Sequence, residues 1–416
     1  MFLRFKWMSG IWLKYAMACC ALLLSSCELG SPPRHDANHG TGAGESKIHF
    51  WDDQKRGANI FNNHISQEDI AAAKAYGIQF IRLSIDKFPS KHRDFLMQDA
   101  DHYTSLDRDD LTLLIRILGI CERENMPVVI TTLSLPGSRW NQLNGNKDDL
   151  RIWKSKKYQE QAASFWRDLA TELRQYRIVV GYNILNEPHP ERLFDSKSCH
   201  IDRVNQAEVQ KLLYDFNELI VRSIRNVDPY TPIIIDSSGY ADPNTFRHLW
   251  PVESTHRERA DPFIIHSFHM YEPYEYTNHR HNKGQYSYPG KVAGKLWASA
   301  TIREYVRAVC DFQKRHNVPS SRILVGEFGC YRKQKGLPGY FADLIHVFEE
   351  NHWHWAFYAF REDTWDGMDY ELGSEVLPWA YWRAKEGGTE YALKREATSP
   401  QFSVLLRALN NAFTGN

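Results

Sequence analysis

Short apolar runs recur along most of this chain and alternate with longer stretches in which apolar residues return every three or four positions. Several of the runs are almost entirely apolar, which is typical of strands covered on both faces. The pattern predicts eight strands, at residues 57–61, 78–83, 128–133, 178–184, 232–236, 263–268, 323–325 and 355–360.

The stretches between the runs predict helices. Ser66 and Asp69 form a Ser-x-x-Asp start signal, and Gly77 ends the first helix. Further helices are predicted at residues 109–124, 157–176, 207–226, 302–316, 340–351 and 401–412. A single short piece, 244–249, follows the fifth strand. Eight strands with intervening helices over roughly 360 residues favour the α/β class and one (β/α)8 TIM barrel, a single catalytic domain.

The N-terminus has the pattern of an export signal. Three basic residues precede an apolar run at 15–24, which is too short to span a bilayer but fits a secretory signal. Residues 24–27 resemble a bacterial lipobox, which implies a lipid on Cys27; an ordinary cleavage site is the alternative. We therefore expect a signal peptide at 1–26, a flexible tether at 27–47 and a catalytic domain at 48–416. The protein would be an exported cell-envelope lipoprotein, in the outer membrane, or a secreted protein.

Charge and composition narrow the class of ligand. The chain has 51 basic and 51 acidic residues and no basic block, which argues against a nucleic-acid partner. Without residues 1–26 the net charge becomes −3, which suits a neutral ligand better than a polyanion. Phe, Trp and Tyr total 55, and such rings serve either as core or as stacking platforms.

Two carboxylates stand where predicted strands end. Asn186-Glu187-Pro188 follows the fourth strand, and Gly326-Glu327-Phe328-Gly329 follows the seventh. Because barrel active sites form at the carboxyl ends of the strands, Glu187 and Glu327 should meet at one mouth. Such a pair is what glycoside hydrolysis needs, one group to protonate the leaving oxygen and one to attack or to activate water.

These residues resemble glycoside hydrolase family 5, the cellulase-like enzymes of clan A. The likeness is carried by Glu187, Glu327 and three further motifs, Arg56-Gly57-Ala58-Asn59, Ile81-Arg82-Leu83 and His269-Met270-Tyr271. It implies a barrel that hydrolyses a β-linked glucan with retention, with Glu187 as acid/base and Glu327 as nucleophile. It also implies that Asn186 holds the sugar 2-hydroxyl and that His269 lies beside Glu187. Tyr271 would hydrogen-bond and position Glu327, and Arg82 would supply the positive charge that keeps Glu327 ionised.

The sequence departs from the family at two strand ends. Leu133 stands where a histidine is usual after the third strand. Tyr358 or Phe360 takes the place of the tryptophan of the eighth strand, with Trp365 as the alternative stacking platform. Trp140 is a further substrate-binding candidate. Six tryptophans in segments predicted as loops are expected to offer stacking surfaces, namely Trp140, Trp153, Trp297, Trp365, Trp379 and Trp382.

No phosphate-loop or zinc motif accompanies the carboxyl pair, so we expect neither a cofactor nor a metal. The expected partner is a β-linked polysaccharide or oligosaccharide, with membrane contact through the lipid anchor alone and a monomeric state. A second hypothesis, motivated by Leu133, is a surface glycan-binding protein on a degenerate barrel. The body cysteines, Cys121, Cys199, Cys310 and Cys330, are predicted as disulfides or as buried thiols, with both alternatives open.

Overall fold

The computed structural model describes residues 45–194, 204–252, 261–387, 389, 391 and 393–410. The predicted signal peptide, Cys27, nearly all of the predicted tether and Cys199 lie outside these residues. The described chain begins with a helix at Glu45–His49, three residues before the predicted start of the catalytic domain. Within the described residues, no helix has both the length and the apolar character needed to cross a membrane.

Eight parallel strands close into a barrel in which each strand pairs with its neighbours in chain order and the last pairs with the first. The prediction of a (β/α)8 barrel is therefore confirmed, and each predicted strand is present. The strands are β1 Arg56–Ile60, β2 Phe80–Ser84, β3 Val128–Thr131, β4 Val179–Asn183, β5 Ile233–Asp236, β6 Ile264–Met270, β7 Ile323–Phe328 and β8 His354–Phe357.

Helices follow the strands at the predicted places. Ser66 caps the first of them, because its Oγ accepts a hydrogen bond from the Asp69 N–H at 3.1 Å. The longer helices are Gln67–Ala75, Arg108–Arg123, Lys156–Leu173, Gln206–Arg225, Ser299–Tyr305, Arg307–His316, Leu337–Glu350 and Pro400–Leu409. After β5 the described residues contain the short helix Ser238–Ala241 and a 3-10 turn at Pro243–Arg247, as the short predicted piece suggested.

The pattern of apolar residues did not predict two kinds of secondary-structure element that the structure contains. One is the antiparallel hairpin of Gly290–Val292 and Lys295–Trp297, whose strands are too short to show an alternating pattern. The other comprises the helices Tyr274–Thr277, His279–Asn282 and Trp379–Glu386. The last of these has no buried residue, so no apolar face marks it in the sequence.

The barrel has an apolar floor at the amino ends of its strands. Ile48 and Trp51 close this end and pack on inward-facing residues of seven strands, Phe80, Val129, Val180, Ile234, Ile265, Leu324 and Ala356. The Trp51 indole N–H donates to the Val180 carbonyl at 2.9 Å. Lys47 is also buried here, where its Nζ donates to the Arg174 carbonyl at 3.2 Å and to Thr231 Oγ1 at 3.0 Å.

A buried polar layer lies above this floor. Side chains two positions further along a strand point the same way, so Arg82, Thr131, Asp236 and Ser267 follow from the register of the floor residues. Asn183 lies three positions after Val180, because the pairing of β3 and β4 shifts there. The members of the layer are Asn59, Arg82, Thr131, Asn183, Asp236 and Ser267, all shielded from solvent. Polar side chains in a barrel interior need partners or ligands, so this layer marks the site.

Candidate active site

Arg82 lies at the centre of the polar layer and has no exposed surface. Its Nη1 donates to Asn59 Oδ1 at 2.9 Å and to Glu327 Oε1 at 2.5 Å. Its Nη2 donates to Asn183 Oδ1 at 2.6 Å and to Asn186 Oδ1 at 2.5 Å. One guanidinium thus fixes side chains of β1, β7 and β4, and of the residue Asn186 just after β4, through four hydrogen bonds.

Glu327 is held from two sides. Besides the bond from Arg82, its Oε2 accepts a hydrogen bond from the Tyr271 hydroxyl at 2.7 Å. The register between β6 and β7 shifts beside it, and the residue there is Gly326. A Cβ at Gly326 would stand 2.6 Å from Ser267 Oγ and 3.0 Å from His269 Nε2, so glycine leaves the space that the histidine ring occupies.

Glu187 leaves β4 through a left-handed backbone with φ of 50°. Its backbone N–H donates to Asp236 Oδ2 at 3.2 Å, and His269 Nδ1 lies 2.9 Å from its Oε1. Burial raises the pKa of the Glu187 carboxyl, and the nearby carboxylates of Glu327 and Asp236 raise it further, against the opposing effect of His269. Glu187 is therefore suited to carry a proton near neutral pH.

The two carboxyl groups and the imidazole converge on one point. One donor or acceptor atom from each of Glu187, His269 and Glu327 lies within 4.8 Å of the other two. Two carboxylate oxygens and a nitrogen are also a plausible ligand set for a cation. A cation bound there would face the Arg82 guanidinium, 2.5 Å from Glu327, which disfavours a second positive charge.

Asp236, at the end of β5, was not predicted as a site residue. It is fully buried, and its Oδ2 lies 3.5 Å from Arg82 Nη2 and 3.6 Å from His269 Nε2. Burial lowers the pKa of His269, but the charges of Glu327, Asp236 and Glu187 outweigh this and raise it overall. The available signal was one aspartate ending an otherwise all-isoleucine strand, at the mouth of the barrel.

The structure brings together six of the residues predicted for catalysis and substrate binding, Arg82, Asn186, Glu187, His269, Tyr271 and Glu327. The two tryptophans of that prediction lie further out on the loops. Trp140 follows β3, half-buried, with Lys87 Nζ 4.7 Å from its ring centre. Trp365 follows β8 and stacks on Tyr331, with ring centres 6.3 Å apart.

The structure shows the contacts of the residues at the two departures from the family pattern, Leu133 after β3 and the aromatic residue after β8. Leu133 is buried, and its backbone N–H and that of Ser134 donate to the Asp86 carboxyl at 2.7 and 2.9 Å. Tyr358 is half-buried directly after β8 and packs edge to face on Phe61, whose ring centre lies 5.6 Å from the Arg82 guanidinium. Phe360 is buried in the core.

The expectation of six stacking tryptophans is wrong for two of them. Trp153 and Trp297 are buried, and Trp153 packs on Phe216 as part of the core. Both residues lie in connecting segments, but these segments pack back against the barrel and bury the two rings. The three described body cysteines, Cys121, Cys310 and Cys330, are free thiols.

Comparison with known proteins agrees with this geometry. The family described as Cellulase (glycosyl hydrolase family 5) matches residues 42–364. The chain is 21% identical to a β-xylosidase of Phanerodontia chrysosporium over 346 residues, 78% of this chain and 61% of that protein. The chain thus spans about three fifths of the length of this relative.

Solved structures show the same fold. An endo-β-1,4-glucanase in complex with substrate has a TM-score of 0.57 at 18% identity and covers 80% of this chain and 98% of its own. Thermotoga maritima Cel5A in complex with mannotriose has a TM-score of 0.58 at 16% identity, covering 87% and 99%. With the family match spanning most of its length, the chain belongs to glycosyl hydrolase family 5.

Proposed function

We propose that this enzyme hydrolyses a β-linked glucan or a related polysaccharide by double displacement, with retention at the anomeric carbon. The observation that carries the proposal is the carboxyl pair. One oxygen of Glu187 and one oxygen of Glu327 lie within 4.8 Å of each other, which places the two carboxyl groups close together. Retaining enzymes hold their carboxyls about 5 to 5.5 Å apart, whereas inverting enzymes need about 6.5 to 9.5 Å to admit a water.

The environments of the two groups favour different roles. Glu187, with its raised pKa, would protonate the glycosidic oxygen as the bond to the anomeric carbon breaks. Glu327, held by Arg82 and Tyr271, would attack that carbon and form a glycosyl ester. In the second step Glu187 would take a proton from water, whose oxygen attacks the anomeric carbon and releases Glu327.

Asn186 would support the transition state. Its amide oxygen already accepts a hydrogen bond from Arg82 at 2.5 Å, which fixes the plane of the amide group. The amide nitrogen on the other side of that plane is then oriented to donate to a hydroxyl of the bound sugar. A contact to the 2-hydroxyl strengthens as positive charge develops on the ring.

The substrate class rests on three supports. The names of similar proteins include an endo-β-1,4-glucanase, a β-xylosidase and a protein bound to mannotriose. Half-buried Trp140 and Tyr358 offer rings on loops at the carboxyl ends of the strands. The small net charge of residues 27–416 fits a neutral glycan.

The decisive experiment compares wild type, Glu187→Gln and Glu327→Gln on an aryl β-glycoside and on a panel of soluble β-glucans, xylans and mannans. We expect turnover by wild type and losses of at least about a thousandfold in both variants. Binding without turnover in all three proteins would instead identify a glycan-binding protein on a degenerate barrel. An NMR time course in which the α-anomer appears first would overturn retention.

We further propose that the protein is exported and lipid-anchored through Cys27 and that it acts as a monomer. The support is the sequence at Leu24-Ser25-Ser26-Cys27. Palmitate should label the protein expressed in a bacterium, and Cys27→Ala should abolish the label. Absence of label on wild type would refute the anchor. Sedimentation at micromolar concentration would test the monomeric state.

A further inference from the structure

The helix Trp379–Glu386 lies between β8 and the last helix and takes no part in the core. None of its residues is buried, and Trp379 is 68% exposed. Trp382 in the same helix and Tyr391 after it are also exposed. A large exposed aromatic surface is costly for a soluble domain unless it binds something. Packing among the described residues does not account for these rings.

The rings form one cluster. Trp379 and Trp382 are three residues apart on a helix, so they lie on neighbouring positions of its surface. Tyr381 contacts Trp382 edge to face at 4.9 Å and Tyr391 at 6.1 Å. Lys385 Nζ lies 5.7 Å from the Tyr381 ring and 5.9 Å from the Trp382 ring. Ring contacts thus hold Tyr381, Trp382 and Tyr391 together, and Trp379 lies one helical turn from Trp382 and is open to solvent.

The cluster adjoins the active-site face. Lys385 Nζ donates to the Thr364 carbonyl at 3.3 Å and to the Asp363 carbonyl at 3.5 Å. These residues belong to the loop after β8, which begins beside Tyr358 and the carboxyl pair. Loops after the strands form the rim of the active site in this fold. The exposed rings therefore continue outward from that rim.

We propose that the helix Trp379–Glu386 carries a second glycan-binding surface, which holds a neutral β-linked polysaccharide chain outside the catalytic cleft. The flat, apolar faces of the Trp379 and Trp382 rings would stack on the C–H faces of sugar rings. The charged groups of Arg383 and Glu386, on the same face of the helix, would face the sugar hydroxyls. This inference rests on the proposed function, since it extends the binding of the same polymer.

The chemistry of the surface favours a glycan over other occupants. Basic and acidic side chains interrupt the rings, whereas insertion into a bilayer calls for a wide, continuous apolar face. The contacts of Lys385 join this surface to the loop after β8, at the rim of the proposed sugar-binding cleft, so that one polysaccharide chain would reach both. A second copy of this protein and a lipid surface become outcomes of the test.

The test compares wild type, the double variant Trp379→Ala/Trp382→Ala and the control Trp250→Ala. Trp250 is similarly exposed but lies in the connection that enters β6, at the opposite end of the strands. Each protein is run through gels containing a soluble mixed-linkage β-glucan or a β-mannan. We expect the double variant to lose retardation on the order of tenfold, and to keep its kcat/KM on an aryl β-glycoside. Trp250→Ala should match wild type in both assays.

The outcomes distinguish failure of the second binding surface from failure of the proposed function. Equal retardation of wild type and the double variant, with the aryl glycoside still hydrolysed, would overturn the surface and leave the proposed function standing. Failure of wild type to hydrolyse any substrate would refute the proposed function, while the gels would still test the surface. Loss of binding to vesicles of anionic lipid, or of a dimer in sedimentation, with unchanged glycan retardation would assign the rings to a different occupant and overturn the inference.

Discussion

Replacing Asp236 with asparagine should move the pH dependence of catalysis in a direction set by the structure. The Asp236 carboxylate lies 3.6 Å from His269 Nε2 and accepts the backbone N–H of Glu187 at 3.2 Å. Its charge favours the protonated form of both residues and so raises the pKa of each. Asparagine keeps the shape and a hydrogen-bond acceptor but removes the charge.

The size of the effect follows from the distance. Two unit charges about 3.6 Å apart interact by about 4 to 5 kcal/mol at an effective dielectric constant of about 20. This corresponds to about 3 pH units as an upper limit, and single neighbouring charges commonly move a titration by about 1 to 3 units. That limit applies to His269, whereas Asp236 is the smallest of the causes that raise the pKa of Glu187. Because Glu187 titrates together with His269 across their 2.9 Å contact, we expect the alkaline limb of kcat/KM in Asp236→Asn to move to lower pH by about 1 unit.

The assay is kcat/KM against pH on an unactivated oligosaccharide, whose leaving group needs the proton of Glu187. Asp228→Asn is the matched control, because Asp228 is also buried but accepts hydrogen bonds from Tyr182 and Thr231 near the floor of the barrel. The control should lose stability and keep its pH profile. An alkaline limb that stays in place in Asp236→Asn, even with reduced kcat, would refute the electrostatic role.

Three further predictions each concern the substitution of one buried or half-buried residue. Tyr271→Phe removes a charge-assisted hydrogen bond of 2.7 Å to Glu327 and should lower kcat by about 10- to 100-fold with little change in KM, measured on an aryl β-glycoside; an unchanged kcat would contradict the contact. Gly326→Ala places a Cβ 2.6 Å from Ser267 Oγ and should lower both kcat and the free energy of unfolding, the latter by about 1 to 3 kcal/mol in urea. Burial lowers the pKa of Lys47 from 10.5 to about 8, so the unfolded chain binds more protons between those values. The stability of wild type relative to Lys47→Met should therefore be flat below pH 8 and rise by up to about 3 kcal/mol towards pH 10.5; a falling difference would contradict the burial of the amine.

The sequence predicted those parts of the fold and site that depend on local pattern. Apolar runs bounded by polar residues located all eight strands, and the Ser66 cap located the first helix. Glu187 and Glu327 could be paired because strand ends of a barrel share one face. These features need only the order of residues along the chain and a general property of the fold.

The rest depends on register and on side-chain burial, which no local pattern encodes. The bonds from Arg82 to Asn59 and Asn183 join three strands, so they follow from how β1, β2 and β4 align. Trp153 and Trp379 both lie in predicted connections, yet one is core and the other is the most exposed tryptophan of the described chain. Position in a connection therefore does not determine which rings can meet a ligand.

The third carboxylate of the site, Asp236, explains why Glu187 holds a proton before the reaction begins. Asp236 and Glu327 are both buried, and Arg82 is the permanently charged cation that contacts them. If Glu187 were ionised while His269 was neutral, three carboxylates would face one guanidinium in a shielded space. A proton held on Glu187, or shared with His269 across their 2.9 Å contact, reduces that excess negative charge. The charge that Asp236 adds beneath the pair therefore favours the state in which Glu187 begins the reaction as an acid.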